Sequence, residues 1–303
     1  MHQNKVRANC ANDEWINLLR KVRDGGRPSR PRNLRILELL GHTSVVDMTR
    51  PVVTIERRKM GYRFMAAEAW WILTGRSDVA SMASYSRHIA SFSDDGHYFS
   101  GAYGPKVVDQ LRYVIDSLVK DPDSRQAVLT IWRENPRDSR DIPCTVAIQW
   151  LVRDGELHCV DTMRSSDVWL GIVYDWFNFS MLSAYVLLLL RERNAAFNEV
   201  GLGTLRLTAG SEHLYVNPKE DGADNVPYSI LDVDEVLKDC RWIAGGQVHG
   251  KGCLHALRNY APLDVDEFVS PQHFLEVLEL LKDRKTGGVG WLSELLGPTG
   301  GLQ

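Results

Sequence analysis

Two β-patterned runs, "TVAIQWLV" at 145–152 and "ELHCVDTM" at 156–163, are separated by Arg-Asp-Gly alone. Three residues ending in Asp-Gly leave room only for a tight hairpin turn, so the middle of the chain is committed to an antiparallel pair. "QAVLTIW" at 126–132 precedes that pair as a further strand, and "GTLRLTAGSEHLYV" at 203–216 follows it as another. "LRILELLGHTSVVDM" at 34–48 reads as a short apolar segment and a strand. Helical length and spacing mark "YRFMAAEAWWILTG", closed by Gly75 as a C-cap, then "VDQLRYVIDSLVKD" and "SPQHFLEVLELLKDR". The run Met181–Leu190, "MLSAYVLLLL", is shorter than the roughly 20 residues of a membrane span and ends in charged residues, so it is read as a helix at the centre of the core.

Strands interleaved with helices, without an internal repeat or a long linker, predict one α+β domain over residues 1–303: a mixed, mostly antiparallel sheet backed by helices. Residues 1–30 are charged and rich in Gly and Pro, and they are read as an exposed N-terminal segment. "RDGGRPSRPRN" within and beyond it carries Arg23, Arg27, Arg30 and Arg32 on a loop. A net charge of −3 excludes the broad basic surface that binds a nucleic acid polymer, while leaving room for a small anion held by a few arginines. Five cysteines without a CxxC pair, and no secretory pattern, point to a reducing, cytoplasmic setting with no membrane partner. No metal site is assigned.

Cys144 lies between Pro143 and the first strand of the hairpin. On residue type alone it is a small buried hydrophobe or a thiolate nucleophile, and the second needs nearby positive charge and access to a ligand. Glu68, flanked by apolar side chains, is either the partner of a buried arginine or a proton-moving group. Asp175 is either a solvated N-cap or a ligand-reading carboxylate.

Six stretches in order, over roughly residues 30 to 217, resemble thymidylate synthase and its relatives the pyrimidine nucleotide hydroxymethylases. They are "AAEAWWILTG", "AYG" at 102–104, "SRQAVLTIW", "IPCTVAIQW", "MRSSDVWLG" and "HLY" at 213–215. The resemblance implies that Cys144 adds to C6 of a pyrimidine ring, that C5 then attacks the one-carbon unit of 5,10-methylenetetrahydrofolate, and that Glu68 organises water and moves protons. It assigns the nucleotide phosphate to Arg164 and Ser165, with Asp167 in the same segment. Arg125 would reach the phosphate of a neighbouring subunit in a homodimer that pairs through the sheet. Arg32 is the choice for a further phosphate arginine on the loop, with Arg30 nearly as good. His213 and Tyr215, two apart on a strand and so on one face, are assigned to a sugar hydroxyl, and Tyr103 to the substrate site.

The departures from the synthases carry the substrate assignment. Asp175 stands where synthases place an asparagine that reads uracil, and the cytidylate hydroxymethylases carry aspartate there. A carboxylate accepts from the cytosine amine and, with one shared proton, also satisfies N3. Facing uracil O4 it would oppose two acceptors, at a cost of about 1–3 kcal/mol. Thr145 stands where synthases have histidine, Gln126 replaces an arginine, "RHIASFSDDG" lacks the synthases' tryptophans, and "LSELLGPTGGLQ" differs from their closing tail. Water reaching the exocyclic carbon in place of hydride would give a hydroxymethyl product. The expectation is therefore a homodimeric hydroxymethyltransferase acting on a cytidine monophosphate, dCMP ahead of CMP. The alternatives are a uridylate-directed enzyme of the same family and an inactive nucleotide-binding protein.

Overall fold

The computed structural model describes residues 8–86, 89–136, 138–224, 226–243, 247–249 and 263–283. The hairpin forms as its turn dictates. β4 (Thr145–Arg153) and β5 (Glu156–Asp167) pair antiparallel with Arg153 opposite Glu156. Asp154 at φ +54° and Gly155 at φ +76° are both left-handed, the combination that matches the twist of the flanking strands. β1 (Arg27–Ser29), β2 (Ile36–Asp47), β3 (Val128–Thr130) and β6 (Gly201–Tyr215) complete a six-stranded sheet in the order β1-β2-β6-β5-β4-β3. β5 and β6 run parallel and every other neighbour is antiparallel, so the sheet is mixed. A parallel pair needs a long crossover, and α5 (Ile172–Arg193) provides it.

Seven helices occur among the described residues: α1 (Ala11–Gly25), α2 (Tyr62–Leu73), α3 (Ala80–Ala83), α4 (Gly104–Lys120), α5, α6 (Ile230–Asp239) and α7 (Pro271–Asp283). α5 is apolar on nearly every side and is buried, packing on β5 and β6 below and on α2 and α7. Its length and composition would suit a membrane span, and the core accounts for both. The helices cover the face that carries Val46, Leu207, Cys159, Met163, Ile148 and Trp150. The opposite face presents half-exposed and exposed residues, among them Thr43, Thr162 and Arg206. Gly75 ends α2 at φ +74°, as its C-cap reading requires.

Four expectations need correction. Residues 11–25 form α1, in which Ala11, Trp15, Ile16, Leu18, Leu19 and Val22 are fully buried, so the expected exposed segment is, over 11–22, a packed helix. Apolar residues at i, i+4, i+5, i+7, i+8 and i+11 make one stripe, and of the polar residues among them Asn12 and Glu14 are buried with it while Arg20, Lys21 and Arg23 stay at least partly exposed. The loop arginines are likewise fewer than the sequence offers, because Arg23 belongs to α1 and is paired with Asp234 at 2.6 Å. In the same region, 36–47 form one strand of 12 residues rather than two elements, with Gly41 at φ +60° inside it. "QAVLTIW" contracts to three strand residues.

Candidate active site

Cys144 sits one residue before β4, where a register shift between Thr145 and Ala147 breaks the ladder. Arg164 on β5 holds the loop that carries it. Its Nε donates to the Pro143 carbonyl and its Nη2 to the Ile142 carbonyl, both at 2.9 Å, while the Arg164 amide donates to the Cys144 carbonyl at 2.8 Å. Arg164 Nη1 also donates to Ser165 Oγ at 3.2 Å, and Ser165 Oγ lies 3.9 Å from Cys144 Sγ. The thiol therefore has a guanidinium and a hydroxyl beside it. Burial raises its proton affinity, Arg164 and Ser165 lower it, and Asp175 and Asp141 raise it.

Glu68 on α2 and Asp175 in the first turn of α5 line one cavity together with Asn178, Tyr103, Asp141 and an apolar wall that includes Trp71, Ile72, Met82, Phe92 and Phe99. Asn178 Nδ2 donates to Glu68 Oε2 at 2.7 Å, so the partner of Glu68 is an amide and not an arginine. Burial pushes Glu68 up to about 7, against the pull of that hydrogen bond. Asp175 is raised well above the carboxylate range, first by burial and then by the negative charge of Glu68. Its carboxyl takes no hydrogen bond among the described residues. Tyr103 OH accepts from the Thr145 amide at 3.1 Å and its ring stacks on Phe179, which ties the start of β4 to α5.

The raised proton affinity of Asp175 alters the base argument made from sequence. A neutral carboxyl has one donor and one acceptor, so it pairs with the N3 and amine of cytosine, and equally with the O4 and N3 hydrogen of uracil. The clash of two acceptors applies only to its ionised form.

The remaining assigned residues form a second group beside the first. His213 and Tyr215 on β6 meet edge to face with ring centres 5.4 Å apart, and His213 Nδ1 is buried with no hydrogen-bond partner among the described residues. Arg32 Nη2 donates to Tyr215 OH at 3.3 Å, whereas Arg30 Nε is bonded to the carbonyl of Asn33. The backbone thus brings Arg32 rather than Arg30 to this group, at the left-handed φ of +52°. Asp167 Oδ1 accepts from the Trp169 and Leu170 amides, each at 2.8 Å, and from Tyr228 OH at 3.0 Å, so it shapes the turn into α5. Its Oδ2 is buried without a partner among the described residues. Arg125 is exposed between α4 and β3, with only its carbonyl engaged, by Gln149, and it is not brought to the group around Cys144 within this chain.

Four contributors escape sequence reasoning. Asn178 follows Asp175 by one helical turn, and that spacing on α5 was the available signal. Arg58 is buried, donates from Nε to the Trp169 carbonyl at 2.7 Å and lies over the rings of Trp169 and Tyr174, fixing the segment that delivers Asp175. Asp161 on β5 is fully buried with both carboxyl oxygens unpartnered among the described residues, and burial, then Asp175, raises it well above the carboxylate range. Asp141 stands three residues before Cys144 on the cavity lining. Among the described residues no cluster of three or more His, Cys, Asp or Glu could hold a metal ion. Cys10, Cys144 and Cys159 are free thiols, and Cys253 lies outside the described residues, as does "LSELLGPTGGLQ".

A curated relative, the deoxyuridylate hydroxymethyltransferase of Bacillus phage SP01, is 31% identical over 181 residues, an alignment covering 52% of this chain. The chain spans 46% of that relative's length. Residues 13–226 match the family model described as thymidylate synthase, and the chain belongs to that family.

Proposed function

We propose that this member of the thymidylate synthase family transfers a one-carbon unit from 5,10-methylenetetrahydrofolate to C5 of a cytidine 5′-monophosphate, dCMP ahead of CMP, and hydrates it to the 5-hydroxymethyl nucleotide. The observation that carries the base assignment is Asp175, a carboxyl with raised proton affinity on the wall of the cavity that holds Glu68. When the Cys144 thiolate adds to C6, negative charge develops on the N3–C4 edge. A cytosine takes that charge at N3, where it is best met by a proton, and a neutral carboxyl supplies one. The name of the phage relative supports hydroxymethylation as the outcome.

The other residues have roles that follow from their positions. Arg164, Ser165 and Arg32 supply charge-assisted donors for the phosphate, and His213 and Tyr215 face one sugar hydroxyl. Glu68, near neutrality, both gives and takes protons at the pyrimidine. The apolar wall of Trp71, Ile72, Met82, Phe92 and Phe99 fits a flat heteroaromatic ring, and it is where the folate would be held. The folate brings the carbon that becomes the exocyclic methylene. Arg125 is exposed, with only its carbonyl hydrogen-bonded among the described residues, and the sheet face opposite the helices is open. Both support a homodimer paired through the sheet, with Arg125 of the partner subunit at the phosphate. A reducing, cytoplasmic setting suits a thiolate nucleophile and the free thiols of Cys10 and Cys159.

A second reading, 5-hydroxymethylation of dUMP, is favoured by the substrate in the relative's name and by the ability of a neutral Asp175 to pair with uracil. Mass analysis of the products from dCMP, CMP and dUMP with methylenetetrahydrofolate separates the two. Turnover of dUMP alone would establish the second, and a 5-methyl product would overturn both.

A further inference from the structure

Hydroxymethylation requires a step that methylation does not, the addition of water to the exocyclic methylene, and that water needs a base. Resting on the hydroxymethyltransferase reading, we propose that Asp141 is the catalytic base that takes the proton from this water. Three observations place it there.

Asp141 lines the cavity shared by Glu68, Asp175 and Tyr103, and it belongs to the loop of Cys144. A pyrimidine attached at C6 to Cys144, with its N3–C4 edge at Asp175, has C5 between the two, and the C5 substituent projects into this cavity. The carboxyl is also rigidly held. The Gly101 amide donates to its Oδ2 at 2.6 Å and the Asp141 amide donates to Ser139 Oγ at 3.0 Å. A Cβ at Gly101 would lie 2.8 Å from the Asp141 carbonyl oxygen and 3.1 Å from its carboxyl carbon, so only glycine permits this approach. Finally, Oδ1 takes no hydrogen bond among the described residues, which leaves one carboxylate oxygen available to a water. The other carboxyls of the cavity have other work in this reading: Glu68, bonded by Asn178, serves the protons of the pyrimidine, and Asp175 faces the base edge as a proton donor. Burial raises the basicity of Asp141, while the Gly101 amide and the Arg133 cation favour its ionised form.

The step balances without a redox partner. The water oxygen bonds to the methylene carbon as its proton passes to Asp141 Oδ1. The methylene π pair moves to C5, forming an enolate-like C4–C5 edge. That pair then forms C5=C6 and expels the Cys144 sulfur as thiolate, and Asp141 returns its proton to solvent. The yield is a hydroxymethyl group and free enzyme.

The test is Asp141→Asn, whose amide oxygen retains an acceptor for Gly101. Under single turnover with enzyme in excess, three quantities are measured: release of tritium from C5-labelled nucleotide, formation of hydroxymethyl product, and the mass of the Cys144–nucleotide adduct after quenching. Tritium release is expected within about threefold of wild type, while product formation falls by about 10²-fold, in the range of general-base contributions. The methylene adduct should accumulate, and added 2-mercaptoethanol should intercept it as a thioether. Product formation near the wild-type rate without adduct would overturn the role of Asp141. So would a parallel loss of tritium release and product, which would place the residue before the water step or in folding. A wild type that makes a 5-methyl product would instead overturn the functional reading itself.

Discussion

Asp175→Asn tests the base assignment most directly. In the wild type the carboxyl stands in the cavity without a protein hydrogen bond among the described residues, and burial and Glu68 both favour its protonated form. Toward cytosine it then contributes a hydrogen-bond pair and the proton that N3 takes as the thiolate adds. The hydrogen bonds are worth about 1–3 kcal/mol, and proton donation contributes about 10²–10⁴ in rate. An amide retains a donor and an acceptor but cannot transfer a proton, so kcat/KM for dCMP should fall by about 10²–10⁴. With dUMP the amide still gives a donor to O4 and accepts from the N3 hydrogen, and the change should stay within about tenfold, near 1.4 kcal/mol. The ratio of kcat/KM for dCMP to that for dUMP, measured in both proteins, is the assay. A pH profile supplies an independent reading: because the carboxyl acts in its protonated form and its proton affinity is raised, wild-type activity on dCMP should decline on the alkaline side, and this limb should be lost in the variant. An unchanged ratio, or an alkaline limb that survives the substitution, would show that Asp175 neither reads the base nor donates to it.

Three further outcomes follow from named contacts. Cys144→Ala should abolish release of the C5 proton while nucleotide binding, followed by calorimetry, stays within about tenfold, since the thiolate is needed only for the covalent step; release at the wild-type rate would assign the nucleophile elsewhere. Glu68→Gln retains the acceptor for Asn178, and it removes a carboxyl whose folded pKa of about 7 exceeds its ordinary value of 4.5. The stability that Glu68 confers on the wild type is fully present below the lower value and is lost as pH rises through the higher. The variant should therefore match wild type in urea unfolding near pH 4.5 and exceed it by on the order of 3 kcal/mol at pH 8, and an equal difference at both would refute burial as the cause. Trp15→Ala on α1 removes a fully buried ring whose Nε1 donates to the Val168 carbonyl at 2.8 Å. It should cost about 3–5 kcal/mol in urea unfolding, whereas removal of an exposed segment would cost almost nothing.

What the sequence makes legible is local. The Asp-Gly turn specifies its own backbone, and the alternation on either side of it specifies the hairpin, so β4 is readable to within a residue and β5 from its start, although β5 runs four residues past 163 to Asp167. The helix at 62–73 and its glycine cap are readable for the same reason. α1 is not, because its composition is polar and only the spacing of Ala11, Trp15, Leu18, Leu19 and Val22 shows the stripe that folding buries. The one-turn relation of Asp175 to Asn178 is visible once a helix is assumed, but the bond from Asn178 to Glu68 joins residues 110 positions apart and depends on how α2 meets α5. The choice between Arg30 and Arg32 is also tertiary, since it is made by Tyr215 at the far end of β6.

Protonation is the least legible property of the site, and here it matters most. Residue type identifies Asp175 as an acceptor and leads to a preference for cytosine through repulsion of uracil O4. The fold places that carboxyl in a cavity with Glu68 and above the buried Asp161, where successive negative charges are increasingly costly. Burial raises the proton affinity of both Asp175 and Asp161, and the charge of Glu68 adds to it at Asp175 as that of Asp175 does at Asp161. A protonated Asp175 satisfies either edge, so under the proposed cytidylate reading discrimination between the bases does not come from ground-state pairing. It arises in the transition state, where cytosine needs a proton at N3 and uracil needs only hydrogen bonds at O4. Under that reading the site should bind dCMP and dUMP with similar affinity and separate them in kcat. Under the proposed reading, turnover of dCMP should therefore fall at a pH high enough to ionise Asp175.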